Sequence, residues 1–139
     1  MDKEDMTLFL AVEAILNNNM RTLRSTHVMI IEDVAKLYEV APSYLKQRIK
    51  KNPGRFPKDF MFSITRKEQT KLNTKYAIVL TEKGVLMVGG QLKSEKARNI
   101  HMQFIKYFVQ LYKTNMEKLG ITNEDTFLIF ELFKRMIKE

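Results

Sequence analysis

The chain alternates between helical and strand periodicity, and each change of period marks an element. Between residues 6 and 24, Leu8, Val12, Ile15 and Leu16 recur at close to helical spacing and give way to three asparagines at 17–19. A helix is expected there, as an N-terminal arm. The β-branched run VMII at 28–31 predicts a short strand, and Glu32 and Asp33 behind it suit the positive end of a helix. That helix, over 33–39, would bury Val34, Leu37 and Tyr38. Pro42 disfavours helix at Ala41 and suits the first turn of a new one. The second helix runs to about Lys51, with Leu45 and Ile49 one turn apart on its buried side. Asn52, Pro53 and Gly54 break it. FMFSI at 60–64 and YAIVL at 76–80 then read as two strands joined by the polar segment TRKEQTKLNTK.

The last third reads as helix throughout. Ser94 followed by Glu95 can open a helix in which Ala97, Ile100, Phe104, Phe108 and Leu111 make one apolar stripe. Met102, Ile105, Val109, Tyr112 and Met116 make a second, so two faces must be covered. Gly120 would close this helix, and TNED at 122–125 has the form of a capping box for a last one. There Phe127, Phe130, Phe133 and Ile137 form one face, while Leu128, Ile129, Leu132 and Met136 fill the others. That is too much apolar surface for an exposed terminal segment. Self-association through Phe127, Phe130, Phe133 and Ile137 is expected, the alternative being a tail folded back onto its own domain.

These elements describe an α+β chain: a winged-helix-like helix-turn-helix with short strands, followed by C-terminal helices. The expected division is an N-terminal helix or arm at 1–26, a binding domain at 27–113 and a helical dimerisation segment at 114–139. A length of 139 residues with 45% hydrophobic content supports one sizeable core. The N-terminus MDKEDM is acidic where a secretory signal would be basic, and runs such as LFLAV and VLMV are far too short to span a bilayer, so no membrane partner is expected. With no cysteine there can be no disulfide, thiolate nucleophile or thiolate zinc site, and two histidines leave few metal geometries. No nucleophile elbow, phosphate loop or zinc-protease pattern occurs, and His101 falls on an amphipathic helix where a satisfied, partly buried role fits best. Neither an enzyme nor a cofactor is implied.

Charge sharpens the picture once it is located. Residues 41–75 carry ten Lys and Arg against Asp59 and Glu68, which accounts for the chain's whole net charge of +8. A field concentrated in one quarter of the sequence calls for a polyanion. On the second helix, Ser43, Gln47 and Lys50 lie opposite Leu45 and Ile49, with Lys46 and Lys51 flanking them and Arg48 nearer the core edge. Long donors on the second helix of a helix-turn-helix suit the major groove of double-stranded DNA. Two strands joined by a basic connection outline a wing, with Arg55 and Lys58 placed for phosphates.

The series VMIIEDVAKLYEVAPSYLKQRIKKN, RFPKDFMFSIT and LTEKGVLMVGGQLKSEKA, in that order within 28–113, resembles the KilA-N-like DNA-binding family. The branch it resembles stands at the N-termini of phage antirepressors and prophage regulators. The resemblance implies a compact α+β DNA-binding domain, often fused to a variable C-terminal module. Carried over residue by residue are Arg55, Phe56, Pro57, Asp59 and Phe60 in one motif and Thr81, Glu82 and Gly84 in the other, most of them structural. The chain departs from the family in a short linker between the strands and in LTEKG, where an aromatic and a glutamine are more usual. The expected function is a homodimeric DNA-binding transcription regulator of phage, prophage or mobile-element type, in the cytoplasm of a bacterial or phage-infected cell. The alternative is an antirepressor-like module that engages a repressor protein, with DNA binding secondary.

Overall fold

The computed structural model describes residues 3–138, apart from the side chains at positions 5, 8, 9, 123, 126 and 138; the expected apolar position Leu8 lies outside the described residues. In chain order the elements are α1 (Lys3–Asn19), β1 (Arg21–Leu23), β2 (Thr26–Ile30), α2 (Ile31–Tyr38), α3 (Pro42–Lys51), a 3₁₀ turn (Pro53–Arg55), β3 (Met61–Ser63), α4 (Arg66–Leu72), β4 (Ile78–Thr81), α5 (Glu82–Gly89), α6 (Glu95–Lys118) and α7 (Asn123–Lys138). The chain is α+β, with all four strands in one antiparallel sheet of order β1-β2-β4-β3.

Period-two alternation in the central strands decides what lies above and below the sheet. Val28, Ile30 and Val79 point to one face and pack with Leu23, Ile64 and Leu72, the last contributed by α4. Met29 and Leu80 point to the other, where Val12 and Leu16 of α1, Val34 and Tyr38 of α2, Leu45 and Ile49 of α3, Val88 of α5 and Phe104 of α6 close the main core. Val28, Met29, Val79 and Leu80 are wholly buried, and each such side chain contributes roughly 1.5–3 kcal/mol. Tyr38 is the largest buried side chain: its hydroxyl donates to the Val85 carbonyl at 2.7 Å, and its ring meets that of Phe104 edge-on at 5.7 Å.

Two expectations are corrected at the N-terminal end. The helix stops at Asn19, short of residue 24, because residues 21–23 pair with β2 through a two-residue turn at Arg24 and Ser25. Both turn residues are left-handed (φ 52° and 62°), the geometry of a type I′ hairpin, which usually announces itself as Asn-Gly. Nor is α1 a free arm, since its buried Val12 and Leu16 pack on α6.

The connection between β3 and β4 also departs from an open wing. Its basic segment folds as α4, started by a capping box in which the Glu68 N–H donates to Thr65 Oγ1 at 3.2 Å and the Thr65 N–H donates to Glu68 Oε1 at 2.9 Å. Left-handed Asn73 ends it (φ 56°).

The motifs RFPKDF and TEKG meet as one junction. The Phe60 carbonyl accepts from the Thr81 N–H at 3.0 Å and lies 3.2 Å from Thr81 Oγ1, which also donates to the Asp59 carbonyl at 2.7 Å. Thr81 is at the same time the N-cap of α5, and Lys83 pairs with Asp59 at 3.1 Å. A β-carbon on Gly84 would stand 2.0 Å from the Phe60 carbonyl oxygen, whereas one on Gly54 would meet nothing within 4 Å. Gly84→Ala is therefore expected to cost about 3 kcal/mol in urea unfolding, while Gly54→Ala stays within about 0.5 kcal/mol of wild type.

Candidate nucleic-acid interface

The position of α3 is set from beneath. Leu45 and Ile49 are buried in the main core, and α3 packs on α2 and α5. Between α2 and α3 stand only Glu39, Val40 and Ala41. Glu39 takes the left-handed conformation (φ 56°) and Val40 N–H donates back to the Ala35 carbonyl at 2.9 Å, closing α2 without a glycine at a cost of about 1 kcal/mol. Pro42 supplies the first turn of α3, where its missing N–H is not needed.

Opposite the buried side, Ser43, Gln47 and Lys50 are exposed along one line at helical spacing, with Lys51 exposed beside them. Lys46 is half-buried, its ammonium 5.5 Å from the centre of the Tyr76 ring, and Lys75 approaches the same ring at 5.7 Å. Arg48 is also half-buried and donates Nε–H to the Gln91 carbonyl at 3.0 Å, tying α3 to the segment behind α5. Asn52 closes the helix by donating from Nδ2 to the Arg48 carbonyl at 2.9 Å. Arg55 is exposed in the following 3₁₀ turn. Lys58, also exposed, faces an open cleft of about 600 Å³ shared with Arg24, His27 and Phe62.

Tyr76 and Lys75 fall outside the sequence-predicted set, and so does what holds them. The Glu32 carboxylate accepts from Thr74 Oγ1 at 2.5 Å and from the Lys75 N–H at 3.1 Å, pinning the 74–76 segment beside α3. Glu32 does lie in the first turn of α2, as its charge suggests, but its hydrogen bonds go to residues more than forty positions away. No local spacing encodes that.

The cations of residues 41–75 divide between two layers. Those of α3 lie on the side of the main core, and Arg66, Lys67 and Lys71 lie on α4, whose Leu72 packs against the opposite face of the sheet. Among the described residues, ion pairs join Arg24 to Glu68, His27 to Glu82, Lys83 to Asp59, Lys96 to Glu39 and Lys134 to Glu131; none involves Lys46, Arg48, Lys50, Lys51, Arg55 or Lys58. His101 donates from Nε2 to the Leu86 carbonyl at 2.9 Å beside Gly89 and Gly90. No group of three or more metal-ligating side chains occurs among the described residues, and no helix is long and apolar enough to cross a membrane.

A family model described as the ORF6N domain matches residues 18–91, more than half of the chain, and the protein belongs to that family. The domain is phage-associated and related to KilA-N and antirepressor-type domains, which is the sense in which the resemblance to KilA-N holds. The matched span covers the whole sheet and α2 to α5, ending at the Gln91 that receives Arg48. No curated protein and no solved structure matches the chain.

Arg24 joins the sheet hairpin to α4. Its guanidinium donates twice to Glu68, at 2.9 and 2.6 Å, and lies 5.3 Å from the centre of the Phe62 ring. The hydrogen bonds from Arg24, and after them the Thr65 N–H, hold the Glu68 carboxyl well below its ordinary value of 4.5, at about 2. A carboxylate with a depressed pKa stabilises the fold above its unfolded value and loses that contribution as the pH falls through the folded one. In thermal unfolding, the advantage of wild type over Glu68→Gln is expected to shrink as the pH is lowered from about 4.5 to about 2 and to stay constant above that range.

Proposed function

We propose that the protein is a DNA-binding regulator of the phage-associated class, with α3 as the helix that enters the major groove. The observation that carries this reading is the unpaired state of the α3 cations. Acidic partners are spent on Arg24, Lys83, Lys96 and Lys134, while among the described residues no ion pair takes up Lys46, Lys50 or Lys51, on a helix whose other side is buried. Ser43, Gln47 and Lys50 run in a line along its exposed side, where hydroxyl, amide and ammonium groups match the donors and acceptors of base edges. Arg55 follows on the next turn of chain and suits a phosphate, as does Lys46, braced on Tyr76. Arg48, with Nε committed to Gln91, serves to orient the helix more than to read bases. Lys58 lies toward the cleft by Phe62 and marks the outer limit of the interface.

A second reading, an antirepressor-like module that engages a repressor protein, draws support from the open apolar side chains of α7, which α3 does not explain. Duplex binding separates the two.

Bound sites selected from random duplex DNA, followed by anisotropy titration, test the proposal. A protomer engaging about five phosphates should give a log–log salt slope of about −4 to −5, and Arg55→Ala should reduce that slope by about one for every sequence alike. Gln47→Ala should flatten the preference between selected and scrambled sites. Replacing Lys46, Lys50 and Lys51 together by Ala should abolish binding, whereas replacing Arg66, Lys67 and Lys71, which belong to the other layer, should leave site preference intact. Salt-insensitive binding, or an α3 triple variant that binds like wild type, overturns the assignment.

A further inference from the structure

The C-terminal helices leave an imbalance that the rest of the fold does not resolve. On α7, eight large apolar side chains between 127 and 137 are 50–68% exposed. At about 100 Å² apiece they amount to about 800 Å² per copy, one side of a standard-size protein interface and above the largest apolar patch of an ordinary monomer. On a helical projection at about 100° per residue, all but Phe127 fall within an arc of roughly 200° centred near Ile129 and Met136. Glu124, Glu131, Lys134 and Arg135 occupy the remaining strip. An arc that wide needs two neighbours, since one packed helix covers little more than about 100°.

A matching surface exists on α6. Its first stripe is turned into the fold, with Ala97 and Phe104 in the core and Ile100, Phe108 and Leu111 half-buried against it. The second stripe, Met102, Ile105, Val109 and Tyr112, is 36–51% exposed. It spans residues 102–112 and the α7 arc spans 127–137, so both are about 15 Å long. The two are joined by a short corner: Gly120 is left-handed (φ 72°), and Thr122 and Asp125 form the expected capping box, the Asp125 N–H donating to Thr122 Oγ1 at 3.2 Å and the Thr122 N–H to Asp125 Oδ2 at 2.9 Å.

We propose that two copies of the chain associate through α7, each α7 lying antiparallel on the α7 of the other copy, with an open α6 stripe as the second cover. The helix dipole selects the direction. A parallel pair would set like helix ends side by side, while an antiparallel pair opposes them. The pairing is isologous, so each copy offers the same patch, and its midpoint is Leu132, halfway along the apolar span. This inference is independent of what α3 binds.

The chain contains no cysteine, so single cysteines report the geometry directly. Sedimentation at micromolar concentration should give a dimer, and Leu132→Asp a monomer that keeps the thermal unfolding transition of the core, because no described side chain of α7 belongs to that core. Under mild oxidation Leu132→Cys should cross-link to itself. Leu128→Cys and Met136→Cys should each cross-link poorly alone but efficiently when mixed. Efficient self-cross-linking of both end variants would mean parallel helices and overturn the proposal. A monomeric wild type, or a Leu132→Asp chain that remains dimeric, would overturn it too, the first outcome assigning the α7 arc to a different protein.

Discussion

The carbonyl of Phe60 is the point through which the domain is tied together. It takes the Thr81 N–H at 3.0 Å and lies 3.2 Å from Thr81 Oγ1, with the Cβ-less flank of Gly84 pressed against it. This contact fixes the end of the 52–60 segment, which leaves α3, against the start of α5. From α5 the constraint spreads in two directions. The Val85 carbonyl receives the Tyr38 hydroxyl at the end of α2, and the Gln91 carbonyl, just past α5, receives Arg48 of α3. The basic helix is thus tied twice to the stretch that follows α5, by Arg48 on the Gln91 carbonyl and by Tyr44, whose hydroxyl accepts from the Lys93 N–H at 3.2 Å.

The sheet gives the charge its direction. Because its central strands are buried on both faces, helices must cover both, and the basic quarter of the chain is shared between α3 on one side and α4 on the other. On the α4 side, acid is drawn in: Glu68 caps the helix and binds Arg24. On the α3 side, Glu32 is committed to Thr74 Oγ1 and the Lys75 N–H, and Glu39 to Lys96. Among the described residues no carboxylate pairs with the ammonium groups of α3, so their mutual repulsion is left without an acidic counterweight.

Much of this architecture was legible in sequence. The Leu45–Ile49 repeat, Pro42 and the Asn52-Pro53-Gly54 break delimit α3 to within a residue, since each is a local signal acting through local geometry. The two stripes of α6, the glycine corner and the Thr122–Asp125 box are equally local. The box at Thr65 and Glu68 has the same signature, but the polarity of its segment reads as a connection between strands, and α4 emerged only in the structure. Hairpin β1–β2 was illegible because Arg24 and Ser25 hold left-handed conformations that their side chains do not favour; the register with β2 and the grip of Arg24 on Glu68 impose them.

The sequence by itself determined the helices α2, α3, α6 and α7, the apolar side of each and where the net charge is concentrated, because those properties depend on neighbours within about four positions. Tertiary structure alone decided that α3 and α4 lie on opposite faces of one sheet and that Tyr76 stands under Lys46. It also decided that the second stripe of α6 stays open while the first is turned into the fold. The reason is common to all three: each depends on strand order β1-β2-β4-β3, which brings residues 26–30 beside 78–81 and is fixed by pairing across fifty positions, a distance over which no periodicity in the chain carries information.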